Sequence, residues 1–224
     1  MTDRAQKIKA GTSPEFTLGQ EIANAITHGT GAALAIAGLV VLVVAAASRG
    51  TVWHVVSYAV FGASMVLLYM SSTLYHGFQK PRVKKIFEMF DHAAIFVLIA
   101  GTYTAFALTI LRSSVGWWLF GAVWGIAAFG IFMETVFINR WPWLTLGIYL
   151  AMGWLIVLVW EPFMAYASPL VRTLIIAGGL SYTVGTIFYA LGRRHGWFHP
   201  AWHLFVIGGT VCHFFAVLAT LPHS

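Results

Sequence analysis

Seven apolar stretches follow one another with almost nothing between them, each close to the ~20 residues that cross roughly 30 Å of hydrocarbon. They run from about Ala25 to Ala47, Val52 to Tyr75, Phe90 to Leu111, Trp117 to Ile138, Trp143 to Trp160, Leu170 to Leu191 and Ala201 to Leu221. Connectors such as Ser48–Arg49–Gly50, Arg112–Ser113–Ser114 and Asn139–Arg140 are so short that neighbouring spans must run antiparallel. The expectation is all-α: a polytopic, seven-transmembrane helix bundle. It forms a single membrane domain over residues 1–224, with a short cytoplasmic tail over residues 1–20. No internal repeat is evident, so an inverted-repeat transporter has no support.

Charge settles orientation and excludes one class of partner. Only 9% of residues are charged, against roughly 25% in ordinary soluble domains. The net charge of +6 is scattered over loops and not massed on one face, so nucleic acid is not expected. Arg4, Lys7, Lys9, Lys80, Arg82, Lys84, Lys85, Arg140, Arg193 and Arg194 fall on one side of the bilayer, and Arg49, Arg112 and Arg172 on the other. That asymmetry predicts a cytoplasmic N-terminus and an exported C-terminus for a multi-pass protein of the inner (plasma) membrane. Met1 to Gln20 lacks the apolar core of a cleavable signal peptide. Cys212 is the only cysteine, so no disulfide framework is expected.

In this topology a set of polar side chains shares one depth. Ser72 and His76 end the second span, Asp91 begins the third, and His199 and His203 open the last. All are cytoplasmic-end positions; a topology shifted by one span would have separated them by some 30 Å. An ionisable group at mid-bilayer costs about 2.5–3.5 kcal/mol on insertion scales, so several at one level imply a shared partner. Spacings of four put Ser72 with His76, and His199 with His203, on common helix faces. Pro200 disfavours helical backbone at His199, which places His199 at the N-cap.

Three histidines without a cysteine fit a catalytic zinc with an open position for water, rather than a closed structural site. His76, His199 and His203 are the expected ligands. Asp91 would hold the water and act as general base, and Ser72 would orient it or stabilise an oxyanion. The alternative for Asp91 is an ion pair with Lys84, Lys85 or another basic residue of the adjoining loop.

Glu21, Asn24 and His28 open the first span at spacings of three and four, on roughly one face. They stand either around the metal ligands or in interhelical hydrogen bonds, and Glu21 is also favoured simply by the helix dipole. Glu134 lacks an obvious partner beyond Arg140 or another basic loop residue. His54, His195 and His223 read as hydrogen-bonded packing residues. His213 lies about 15 Å deeper than His203 and cannot share its ion. Thr102, Tyr103, Thr104, Ser181, Tyr182 and Thr183 are expected to line an interior or bond between helices. Gly121 and Gly125 have the spacing of a close helix contact.

The ordered set Glu21-x2-Asn24-x3-His28, Ser72-x3-His76, Asp91 and His199-x3-His203 resembles the bacterial hemolysin III branch of the progestin and adipoQ receptor family. The resemblance covers essentially the whole chain. It implies a zinc ion held by the three histidines, with the aspartate and serine near its water. Eukaryotic relatives are similar to ceramidases, which cleave an amide bond in a lipid. This chain departs from them in having no sizeable N-terminal domain, which argues against a hormone-receptor role, and in Pro200 within the histidine pair.

The leading expectation is therefore a zinc-dependent hydrolase acting on a membrane lipid or fatty acyl substrate. A second class is membrane lysis by pore formation, although no continuous polar stripe runs the length of any span and a pore needs a wetted lining. A third is a regulator of membrane energetics or lipid composition in which zinc is a structural clamp.

Overall fold

The computed structural model describes residues 15–222. The tail basic residues Arg4, Lys7 and Lys9, and His223, lie outside them. Among the described residues all regular structure is helical: α1 (Leu18–Arg49), α2 (Val52–Gly77), α3 (Pro81–Ala107), α4 (Gly116–Val136), α5 (Pro142–Gly153), α6 (Trp160–Tyr166), α7 (Pro169–Gly192) and α8 (Phe198–Leu218), with a 3₁₀ segment, Trp154–Val159, joining α5 to α6. Counting α5 through α6 as one, seven helices are long and apolar enough to cross a membrane. Large apolar side chains such as Leu34, Val44, Trp118, Phe129, Leu158 and Leu204 point outward, as a bilayer solvent requires. This is a multi-pass membrane protein.

Several helices begin earlier than apolarity alone places them. α1 starts at Leu18, not near Ala25, because Thr17 and Gln20 form a reciprocal capping box: Thr17 N–H donates to Gln20 Oε1 at 2.9 Å, and Gln20 N–H to Thr17 Oγ1 at 3.4 Å. α3 starts at Pro81, a favoured first-turn residue, so Asp91 sits in its third turn and not at its start. α8 begins at Phe198 with Trp197 as N-cap, which puts His199 inside the first turn. Pro200 needs no backbone partner there, so the expected N-cap position of His199 does not occur.

The fifth span is broken where a continuous helix was expected. Pro162 cannot donate to the carbonyl four residues back and its ring crowds that carbonyl, so the turns before it tighten into 3₁₀ geometry. Tyr103 repairs the break. Its hydroxyl donates to the Gly153 carbonyl at 2.7 Å and accepts from Ile156 N–H at 2.9 Å. Buried backbone groups freed inside a membrane need such a substitute partner.

Packing is uneven around the bundle. α1 against α2, α2 against α3, and α7 against α8 are the extensive contacts, and α8 returns to α1. Gly101 brings α3 so close to α2 that a Cβ there would meet Ser64 Oγ at 2.4 Å. Gly121 and Gly125 do not make the expected close contact: among the described residues no other helix comes within 4 Å of where a Cβ would stand on either, because both face outward. The fifth and sixth spans stand apart, with 11% of the most apolar window buried in each, against 56% in the second. Between them and α3 and α8 lies a cavity of about 520 Å³.

Candidate metal centre

α2 and α8 supply three imidazoles at one end of the bundle. His76, His199 and His203 each offer a nitrogen, and the three nitrogens lie within 4.8 Å of one another. Their ring centroids are 4.7–5.2 Å apart. His76 and His203 are 1% exposed. Gly192 at the end of α7 lets the backbone of His199 approach, since a Cβ there would meet His199 N at 3.2 Å.

Partners on α1 fix which nitrogen of each ring is free. Glu21 Oε2 lies 2.6 Å from His76 Nδ1 and accepts its proton. The Asn24 amide lies 3.4 Å from the same nitrogen. His76 Nε2 is then a buried acceptor without a partner among the described residues. Thr27 Oγ1 directs its own proton to the Ala23 and Asn24 carbonyls and lies 3.0 Å from His203 Nδ1, so it accepts from that ring. Two of the three rings are thus held in the tautomer that leaves Nε2 facing the cluster. A ligating histidine commonly donates its other N–H to a carboxylate or oxygen in this way.

The geometry answers most of the expectations for this region. The Glu21, Asn24 and His28 face packs onto the histidines: His28 stacks on His203 with ring centroids 3.5 Å apart, although it is not among the three clustered donors. Lys84 donates to Glu21 Oε1 at 2.7 Å, so its partner is Glu21 and not Asp91. Asp91 is buried, and the Ser72 hydroxyl lies beside its carboxyl. Ser72, Asp91, His199 and His203 all line the cavity.

Sequence reasoning missed Phe16, Thr27 and His92. Phe16 packs its ring against His76 and His199 at centroid distances of 5.7 and 4.8 Å. His92 Nδ1 lies 2.6 Å from Glu134 Oε1, so Glu134 pairs with His92 and not with Arg140; Thr145 donates to the same carboxylate at 3.2 Å. The Thr27 signal was available in its three-residue spacing from Asn24. Nothing local links His92 to a residue on α4.

The remaining histidines divide. His54 caps α2, accepting from Thr51 N–H at 3.1 Å. His195 is exposed in the loop before α8 and is not a buried packing residue. His213 packs beside Tyr182, with centroids 5.4 Å apart, deep in the cavity and away from the triad.

Residues 16–214 match the family model described as haemolysin-III related. The chain belongs to the hemolysin III family. This family member is 46% identical over 203 residues to the Hemolysin-3 homolog of Bacillus subtilis (strain 168), covering 91% of this chain and 95% of that one. It is 44% identical over 199 residues to Hemolysin-3 of Bacillus cereus, covering 89% and 90%. It is also 26% identical over 181 residues to the human monocyte to macrophage differentiation factor, covering 77% and 73%. The matched stretch of the hemolysin III member contains every residue of the histidine cluster.

Proposed function

We propose that this protein is a zinc-dependent hydrolase that cleaves an amide, as in ceramides, or an ester in a membrane lipid. The observation that carries the reading is the meeting of two features. Three histidine nitrogens within 4.8 Å of one another adjoin a cavity whose wall also holds Asp91 and Ser72. The donor set fits the ion: three imidazoles without cysteine match a catalytic zinc site with an open position, and His76 Nε2 is otherwise a buried acceptor with no partner among the described residues. Bound there, zinc would supply Lewis acidity, making water nucleophilic at neutral pH and polarising a carbonyl.

The chain's own residues account for the rest. Asp91 accepts a proton from the attacking water and returns it to the leaving amine or alcohol. Ser72, whose hydroxyl lies beside Asp91, orients the water or donates to the developing oxyanion. Glu21 and Thr27 keep the His76 and His203 rings in place. The apolar walls of the cavity, from Leu68 to Phe163, exclude water and accommodate an acyl chain. The sparse contact between α5 and α7 favours a substrate arriving sideways from the bilayer. The site faces the cytoplasm of a cell whose plasma membrane the protein spans, with its C-terminus outside, on the basic-residue asymmetry. The weaker human similarity is what supports a place in the wider progestin and adipoQ receptor family.

The name of the Bacillus cereus relative, Hemolysin-3, favours lysis as a second reading. The experiment that decides uses purified protein in liposomes containing an amide-linked lipid. Zinc-dependent release of fatty acid without ion leakage is expected, and Asp91→Asn should retain its metal but lose at least about 100-fold in turnover. Equal turnover in the two proteins would make zinc a structural clamp. Ion leakage that survives zinc removal and Asp91→Asn, with no lipid product, would establish the lytic reading instead.

A further inference from the structure

We propose that Arg193 recognises an oxyanion, carboxylate or phosphate, at the polar end of the acyl lipid held in the cavity. The inference rests on the cavity being a lipid site, and not on hydrolysis occurring there. Arg193 follows the last residue of α7. A cation at a helix C-terminus is favoured by the dipole alone, and adjacent Arg194 satisfies that need equally well. The two arginines differ in place. Arg194 is exposed and outside the cavity wall, whereas Arg193 is half-buried and part of it.

Arg193 is also the single lysine or arginine among the described residues of that wall. The other ionisable groups on it are carboxylates, histidines and tyrosines. No carboxylate among the described residues forms an ion pair with Arg193. Its guanidinium lies 5.9 Å from the centre of the Trp143 ring and beside the Tyr189 side chain. Trp143 belongs to α5 and Tyr189 to α7, the two sides of the sparse contact through which a lipid would slide. The Tyr189 hydroxyl engages one donor of the guanidinium; with no carboxylate paired to it among the described residues, its other N–H groups are left for an anion. On that wall Arg193 is the cationic side chain an anionic group would meet.

The test measures binding to purified protein in neutral phosphatidylcholine nanodiscs, with three probes of equal chain length: N-palmitoylglycine, hexadecyl phosphate and neutral N-palmitoylethanolamine. At least one anionic probe should bind about tenfold tighter than the neutral one, a factor well resolved in dissociation constants. Arg193→Gln should abolish that preference and Arg193→Lys restore part of it, while Arg194→Gln leaves it intact. A preference for the carboxylate alone assigns the anion to an acyl-amino-acid or fatty-acid end; one for the phosphate alone assigns it to a headgroup. Retention of the preference in Arg193→Gln, or equal loss in Arg194→Gln, overturns the proposal. Intact preference with no cleavage of an amide- or ester-linked membrane lipid by the zinc-loaded protein would defeat the hydrolase reading and leave Arg193 standing. Failure of all three probes to bind would defeat the lipid cavity and this inference with it.

Discussion

Glu21 and His76, 55 residues apart in sequence, share a proton across 2.6 Å at the junction of α1 and α2. The carboxylate stands outside the cluster of donors, yet it decides which nitrogen of His76 faces it. Glu21→Gln keeps the size but weakens the acceptor and leaves Lys84 without its ion-pair partner. Zinc affinity, measured by chelator competition, should fall by about 10–100-fold with the fold retained. Unchanged affinity would reduce Glu21 to a helix-dipole residue.

The stacking of His28 on His203 makes a proposed ligand and a neighbour easy to confuse. His76→Ala, His199→Ala and His203→Ala should each lose most of their zinc in elemental analysis and melt at lower temperature, because metal-binding free energy adds to folding free energy. His28→Ala should keep about one zinc per chain, since its ring lies outside the cluster of three donors. Loss of zinc from His28→Ala alone would redraw the site.

The His92–Glu134 pair ties α3 to α4 behind Asp91. Glu134→Phe removes one partner of a buried hydrogen bond to a charged group, so a loss of about 1–3 kcal/mol is expected. Thermal melting in detergent should show it, with zinc content unchanged. A drop in zinc equal to that of His76→Ala would mean the pair belongs to the metal centre.

Tyr103 bridges the break in the fifth span through Gly153 and Ile156. Tyr103→Phe deletes both bonds and leaves a backbone N–H and a carbonyl unsatisfied. Amide hydrogen exchange should accelerate across residues 154–159 and remain unchanged in α2. No change there would mean that the 3₁₀ segment holds itself.

Ten basic residues against three predict a cytoplasmic N-terminus. A phosphatase reporter, active only when exported, should be active when fused to the C-terminus and inactive in the connector between α2 and α3. The reverse pattern would move the metal centre to the outer face.

The spans and the histidine triad were legible because each rests on a local or depth-related signal. Twenty apolar residues announce a helix, and alternating directions put His76, Asp91, His199 and His203 at one level. Helix ends were less visible: the first turns of α1 and α3 are polar and escape an apolarity criterion, although Thr17 with Gln20 and the proline at 81 mark both starts. Gly121 and Gly125 show the limit of spacing, which puts two residues on one face without saying whether that face meets a helix or lipid. His92 shows another. It follows Asp91 directly but points about 100° around the helix, toward a glutamate 42 residues away that no short-range pattern connects to it.

His76 emerges with the second span, whereas His199 and His203 emerge with the last, more than half the chain later. During synthesis, therefore, only one of the three clustered imidazoles is in place until the final helix has entered the bilayer and turned back against the first. If the proposed metal binds there, its acquisition would certify complete insertion. A chain stalled or truncated after the sixth span would carry every residue that orients His76 and still have nothing to close around.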